Sequence, residues 1–163
     1  MDNKKVIWDF FESLEFTQAG AASLMGVLEI LSEFNPKKLQ DSFKESSNYT
    51  DETYTEAVDD GDYENFSNDG AGYGINQWSF RTRKLDLLCM SKIEDKSIGD
   101  LFLQLDFIKK ELTKNYSKLL DFLKKTDDID KAIEQILKDF VDFSDKGLID
   151  VNEIRKAAQD IYK

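Results

Sequence analysis

The sequence contains no histidine. That removes the Ser-His-Asp triad, the Cys-His pair and every His-ligated zinc site, so any catalysis in this chain rests on carboxylates. There is one cysteine, Cys89, and therefore no internal disulfide. Cys89 follows Leu85 and Leu88 at helical spacing, and nothing near it in sequence would activate a thiolate. It reads as a small buried core residue. The single proline, Pro36, marks the stop of the helix that precedes it. No apolar run approaches the roughly 18 residues of a membrane-spanning helix. The N-terminus, MDNKKVIWDFFESLEF, carries acids every few residues and reads as an amphipathic helix, not a signal peptide. Positive charge is missing from one long stretch: from Glu45 to Phe80 there is no Lys or Arg.

What is present describes an ordinary globular chain. Its 163 residues are 40% hydrophobic and 34% charged, enough for one domain with a real core. The net charge of −11 is unevenly placed, because nine of the 33 acids fall in the base-free stretch and the remaining 24 face 22 bases elsewhere. Asp51, Glu52, Glu56, Asp59, Asp60, Asp62, Glu64 and Asp69 form the candidate acidic patch. A surface of one sign attracts cationic partners and repels nucleic-acid phosphates. A solvated face that keeps the protein soluble accounts for the same charges equally well.

Helical periodicity dominates. Val6, Phe10, Phe11 and Leu14 mark a first amphipathic helix. A second starts after Thr17, a suitable N-cap, and carries Ala21, Leu24, Leu28 and Leu31 on one face. From about Asn48 to Trp78 the chain is rich in Gly, Asn, Asp, Ser and Tyr, which predicts loop with a short helix near Asp51 to Val58. Ser79 is a candidate cap for a helix through Ile93. Ser97 is a candidate cap for the next, with Ile98, Leu101, Leu105, Ile108 and Leu112 on its stripe. Further helices are predicted over Tyr116 to Lys124, Ile129 to Phe143 and Val151 to Tyr162. No segment alternates as a strand does. The expected fold is one mainly α domain over residues 1–163, with a long Gly/Asn/Asp-rich central loop region.

Two motifs carry the functional signal. MGVLEILSEFNP, Met25 to Pro36, is an amphipathic helix ending in an Asn-Pro stop. DGAGYGINQWSFRTRK, Asp69 to Lys84, places three glycines within five residues, followed by Gln77 and Trp78. Glycine allows a tight backbone and close approach of a ligand. Tyr73 and Trp78 suit the apolar face of a sugar and Gln77 its hydroxyls; a turn whose Trp plugs the core fits the same residues.

Taken together and with their spacing, these motifs resemble the phage tail lysozyme-like domains, peptidoglycan hydrolases related to goose-type lysozymes and lytic transglycosylases. Members of that family read MGN(L/I)xAES(G/N)FNPNNLQ, then a Tyr- and Asp-rich stretch, then NDxAGYG(L/I)xQW and SxGDLxxQLxFL. This chain reads MGVLEILSEFNPKKLQ, YTDETYTEAVDDGDYENF, NDGAGYGINQW and SIGDLFLQLDFI, and the match is strongest from residue 18 to residue 112. The resemblance implies a helical lysozyme-like fold with a glycan cleft, in which Ser32, Tyr73, Gly74, Gln77 and Trp78 are the cleft residues. It also implies a loss. Counting back from Phe34, Asn35 and Pro36, the family's general-acid glutamate falls on Leu31, which cannot protonate a leaving group. Glu29 and Glu33 stand two positions to either side, and two residues turn a helical side chain by about 200°. Neither substitutes without a change of register, and they remain weak candidates for a displaced acid.

A third stretch, Asp142 to Glu153, approaches calcium-loop spacing through Asp142, Ser144, Gly147, Ile149, Asp150 and Glu153. However, Lys146 stands where an oxygen ligand is needed. No metal and no cofactor is expected. Arg81, Arg83 and Lys84 either balance the acidic segment or begin a solvated helix, and the second is preferred. Lys109 to Glu111 and Lys124 to Asp130 read as surface.

The functional expectation is a phage-derived lysozyme-like domain that has lost catalysis. It would act as an acidic binding or inhibitory protein toward a basic host surface, such as the nucleic-acid-binding face of a defence protein, in the cytoplasm of the infected cell. One alternative is a peptidoglycan glycosidase with a displaced carboxylate, working at the cell wall. The other is a module that binds the glycan and cuts nothing. Direct nucleic-acid and membrane binding are not expected.

Overall fold

A computed structural model describes residues 1–142 and 146–162. Along the chain run α1 (Asn3–Ser13), α2 (Gln18–Ser32), α3 (Asp41–Ser47), α4 (Asp51–Asp59), α5 (Arg81–Glu94), α6 (Leu101–Lys114), α7 (Ser117–Leu123), α8 (Ile129–Asp139) and α9 (Val151–Tyr162), with a 3₁₀ turn at Lys146–Leu148. Among the described residues there is no strand. Tyr73 makes only isolated antiparallel bridges, to Leu39 and to Trp78.

α1, α7, α8 and α9 pack around α2. Twelve of its fifteen residues are buried, as expected of a helix that is apolar nearly all round. Thr17 caps it: its hydroxyl accepts the Gly20 N–H at 3.0 Å and donates to the Thr126 carbonyl of the α7–α8 connection. Two glycines let neighbours approach α2. A β-carbon on Gly20 would collide with the Leu123 carbonyl at the end of α7. One on Gly26 would stand 2.9 Å from both the Ala158 β-carbon and the Ile154 carbonyl oxygen of α9. Ile154 and Ala158 are the residues α9 buries. Leu24, Met25, Leu28 and Leu31 extend the same core toward the central loop.

The chain leaves α2 through two successive residues in the left-handed region, Glu33 at φ 53° and Phe34 at φ 60°. The Glu33 N–H closes on the Glu29 carbonyl at 2.8 Å. Leucine at position 31 is 7% exposed and belongs to the core cluster.

Several expected helix starts move. Ser97 does not cap α6; Asp100 does, accepting the Leu103 N–H at 2.9 Å, while Ser97 donates to Asp59. Ser79 does not cap α5. Its hydroxyl donates to the Asp142 carbonyl, and the Asp142 carboxylate accepts the Ser79 and Phe80 N–H groups. The buried face of α5 is Arg83, Lys84, Leu87 and Ser91, so Cys89 is exposed and Leu85 partly so, not core. α3 buries no residue, which leaves it without the apolar stripe that would announce it. The helix expected to reach Phe143 ends at Asp139; Phe143 lies outside the described residues.

Candidate functional site

The glycine-rich motif forms a closed turn. Tyr73 and Trp78 exchange backbone hydrogen bonds, N–H to O at 3.1 and 3.0 Å, and Gln77 N–H returns to the Gly74 carbonyl at 3.1 Å. Gly74 sits at φ 83°, where a β-carbon would also press on the Gln104 amide oxygen and the Trp78 ring. Gln104, from α6, holds the turn from below: its Oε1 accepts the Ile75 N–H at 3.0 Å and its Nε2 donates to the Pro36 carbonyl.

This closure decides the role of the aromatics. Tyr73 and Trp78 are both 0% exposed, so neither is a platform for a sugar. Tyr73 shares a hydrogen bond with Thr55. Trp78 packs edge-on to Phe107 and donates its indole N–H to Glu111 at 2.9 Å.

Two buried ion pairs lie behind the turn, and both contradict a solvated start to α5. Arg83 forks onto Glu111, at 2.6 Å from Nε and 2.7 Å from Nη2, and donates to the Phe140 carbonyl. Burial would lower the Arg83 pKa, but Glu111 outweighs it and the value is raised. Glu111 itself is 4% exposed, not surface. Lys84 reaches Asp69 at 2.6 Å and the Ala71 carbonyl at 2.7 Å, over the Phe66 ring. Here burial wins over Asp69, and the Lys84 pKa is lowered. Asp69 also accepts the Tyr54 and Tyr63 hydroxyls and the Ala71 N–H.

Of the proposed cleft residues, only Gln77 borders the cavity of about 260 Å³ between the end of α2 and the turn; Ser32, Tyr73, Gly74 and Trp78 do not line it. Ser32 ties the two together, since its hydroxyl lies 2.9 Å from both the Leu28 and the Ile75 carbonyls. Ile30, Leu31, Leu148 and Ile149 make an apolar side. Lys38, Gln40, Asp41, Ser42 and Gln77 make a polar one. Gln77 is fixed by its Nε2, which donates to the Lys38 and Gly74 carbonyls. Neither Glu29 nor Glu33 lines this cavity; Glu33 faces solvent beyond the helix end.

Among the described residues, the one carboxyl on its rim is Asp41. Burial raises its pKa, but Lys38 and Lys44, at 3.1 and 3.3 Å, more than reverse this and hold it below its ordinary value. It is a charged carboxylate near neutral pH and has no proton to give to a leaving group.

The eight acids of the central stretch divide. Glu52, Glu56, Asp60, Asp62 and Glu64 are exposed. The side chain of Asp69 is enclosed by its partners described above. Asp51 accepts the Leu39 N–H and the Asn35 amide, and Asp59 accepts the Ile98 N–H and the Ser97 hydroxyl. These three hold loops in place. Asp142, first of the calcium-like spacing, is spent on the start of α5, and Ser144 lies outside the described residues. No group of three or more potential metal ligands occurs among the described residues.

Residues missed as structural polar groups had a partial signal. Gln104 and Glu111 interrupt the apolar stripe of α6 at positions where only a paired polar group is tolerated. Asn76 gave no signal; its amide is fully buried with neither Oδ1 nor Nδ2 hydrogen-bonded.

No curated protein and no solved structure is a significant match to this chain. The family model for phage tail lysozyme matches residues 2–163, essentially its whole length, and the chain belongs to that family.

Proposed function

We propose that this member of the phage tail lysozyme family binds glycan and does not cut it. The observation that carries the reading is the Leu31–Gln77 cavity. Leu31 and Gln77 both border it, and it offers apolar and hydrogen-bonding walls of the kind a sugar ring requires. Among the described residues its lining has no protonatable carboxyl: leucine occupies position 31 and Asp41 is held charged. Both hydrolysis and transglycosylation need a group to protonate the glycosidic oxygen. Such a module would work at the cell wall. The test is incubation with purified insoluble peptidoglycan. The protein is expected to co-sediment with it and to release no reducing ends. Release of reducing ends that is lost in Glu33→Gln or Glu29→Gln would instead identify a displaced-carboxylate glycosidase.

One observation favours a second reading. Five exposed acids remain on and after α4, with no base between residues 45 and 80. An acidic binding or inhibitory protein would use that face against a basic host partner, in the cytoplasm. No described helix is long and apolar enough to cross a membrane, which is compatible with either location. Binding through this face would weaken steeply with salt, since exposed charges are screened within about 10 Å at 0.1 M. Replacing Asp60, Asp62 and Glu64 together by Lys would abolish it and leave peptidoglycan retention intact.

A further inference from the structure

The geometry points to a covalent cross-link in this protein, an isopeptide bond formed between the Lys84 amine and the Asp69 side-chain carboxyl. The two residues stand fifteen positions apart and meet behind the glycine-rich turn. Lys84 Nζ lies 2.6 Å from Asp69 Oδ1, and the two side chains are 0% and 5% exposed. Neither residue borders the Leu31–Gln77 cavity, so the cross-link is independent of the glycan reading.

An amine attacks a carboxyl carbon only in its neutral form. Burial lowers the Lys84 pKa, and Asp69 only partly restores it; a desolvated lysine is an activated nucleophile for this reason. The two carboxyl oxygens are held in different roles. Oδ1 accepts the Ala71 N–H at 2.9 Å. Oδ2 accepts the Tyr54 and Tyr63 hydroxyls at 2.6 and 2.8 Å. Tyr54 connects the reacting groups, because its hydroxyl oxygen also accepts from Nζ, at 3.4 Å. A proton path thus runs from Nζ through Tyr54 to Oδ2.

The reaction is a condensation and needs no co-reactant. In the ion pair the nitrogen carries three protons. Two of them pass along the Tyr54 path to Oδ2, the Nζ lone pair forms a bond to Cγ, and the Cγ–Oδ2 bond breaks to release water. One proton stays on the nitrogen. The site is already complementary to the amide so formed. Its oxygen is Oδ1, to which the Ala71 N–H donates, and its N–H has the Ala71 carbonyl, 2.7 Å from Nζ. Condensation removes two charges whose desolvation is costly even as a pair, and exclusion of water slows the return by hydrolysis. The bond would tie the glycine-rich turn to α5.

The test is the intact mass of the purified wild-type protein after denaturation. It is expected to be lighter than the sequence mass by one water. Trypsin should leave peptide 45–81, which holds Asp69, joined to peptide 84–92, which holds Lys84. Lys84→Arg should show the full mass of its own sequence. Tyr54→Phe keeps the ring and lacks the proton path, and should accumulate the uncrosslinked form. A wild-type protein at its full sequence mass would overturn the proposal. So would a missing water that persists in Lys84→Arg, because cyclisation at Asp60-Gly61 or Asp69-Gly70 loses water without a lysine. A folded Tyr54→Phe protein that is fully cross-linked would overturn the role of Tyr54.

Discussion

Glu33 occupies a backbone position that suits almost any residue less than it suits glycine or asparagine. At φ 53° it begins the left-handed exit from α2, a conformation that costs a residue with a β-carbon roughly 1–2 kcal/mol. The family pattern has Gly or Asn at this point, and the exit explains why. Glu33→Gly is therefore expected to stabilise the protein by about 1 kcal/mol, read as a higher urea midpoint with an unchanged slope. A loss of stability would mean that the Glu33 side chain makes a contact worth more than the strain. The opposite holds at Glu111, which satisfies Arg83 and the Trp78 indole in the interior. Glu111→Ala leaves a buried guanidinium without its partner, and such losses cost about 3–5 kcal/mol. The urea midpoint should fall accordingly, with Trp78 fluorescence reporting the opening; a change below 1 kcal/mol would contradict the burial of the pair. At this scale the sequence was partly misleading. Charged residues on α5 and α6 look like surface until one asks what a cation and an acid in an apolar stripe would pair with.

Elements were more legible than residues. The apolar repeat of α2, α6 and α9 follows from burial on a 3.6-residue period, and Thr17 was identifiable as a cap because its partner, Gly20, is local. The starts of α5 and α6 were not, because the nearest serine is not the cap. Asp142, 62 residues from Phe80, supplies one of them, and no local rule finds such a partner. The packing of α9 on α2 gives a prediction in which two effects compete. Gly26→Ala gains up to about 1 kcal/mol of helix propensity, but the added carbon meets the Ile154 carbonyl and Ala158 at 2.9 Å, and overpacking costs about 1–3 kcal/mol. The expected sum is a net loss, with faster amide exchange confined first to α9. Equal or greater stability would show that α9 shifts outward freely.

At the level of the whole molecule, three tyrosines, of which Tyr54 and Tyr73 are buried and Tyr63 partly so, set an alkaline limit. Tyr54, Tyr63 and Tyr73 have pKa values pushed well above the ordinary value of about 10. Burial is the first cause in all three, and Asp69 adds to it for Tyr54 and Tyr63. A folded-state pKa above the unfolded one gives stability that is complete below about pH 10 and is lost as pH rises further. The two fully buried phenols, Tyr54 and Tyr73, should therefore ionise only as helical dichroism collapses, in one transition. Gradual ionisation with the dichroism intact would contradict their burial. The family resemblance was legible from about residue 18 to residue 112, because motif spacing records which elements meet. The site was legible in outline only. Leu31 and Gln77, which the motifs single out, border one cavity, whereas Ser32, Tyr73 and Trp78 are buried away from it. Whether an aromatic beside glycine faces out or in depends on what lies behind it, here Thr55, Phe107 and Glu111.

The central claim is a cavity that binds glycan without an acid to cleave it. The most direct measurement is a nuclear magnetic resonance titration of labelled protein with soluble peptidoglycan fragments, following protein and sugar signals in one sample. The account predicts saturable shifts at the Leu31, Gln40 and Gln77 amides, while the sugar spectrum stays unchanged for days. Shifts confined to the Glu52–Glu64 face, or new reducing-end or anhydro-sugar signals, would contradict it.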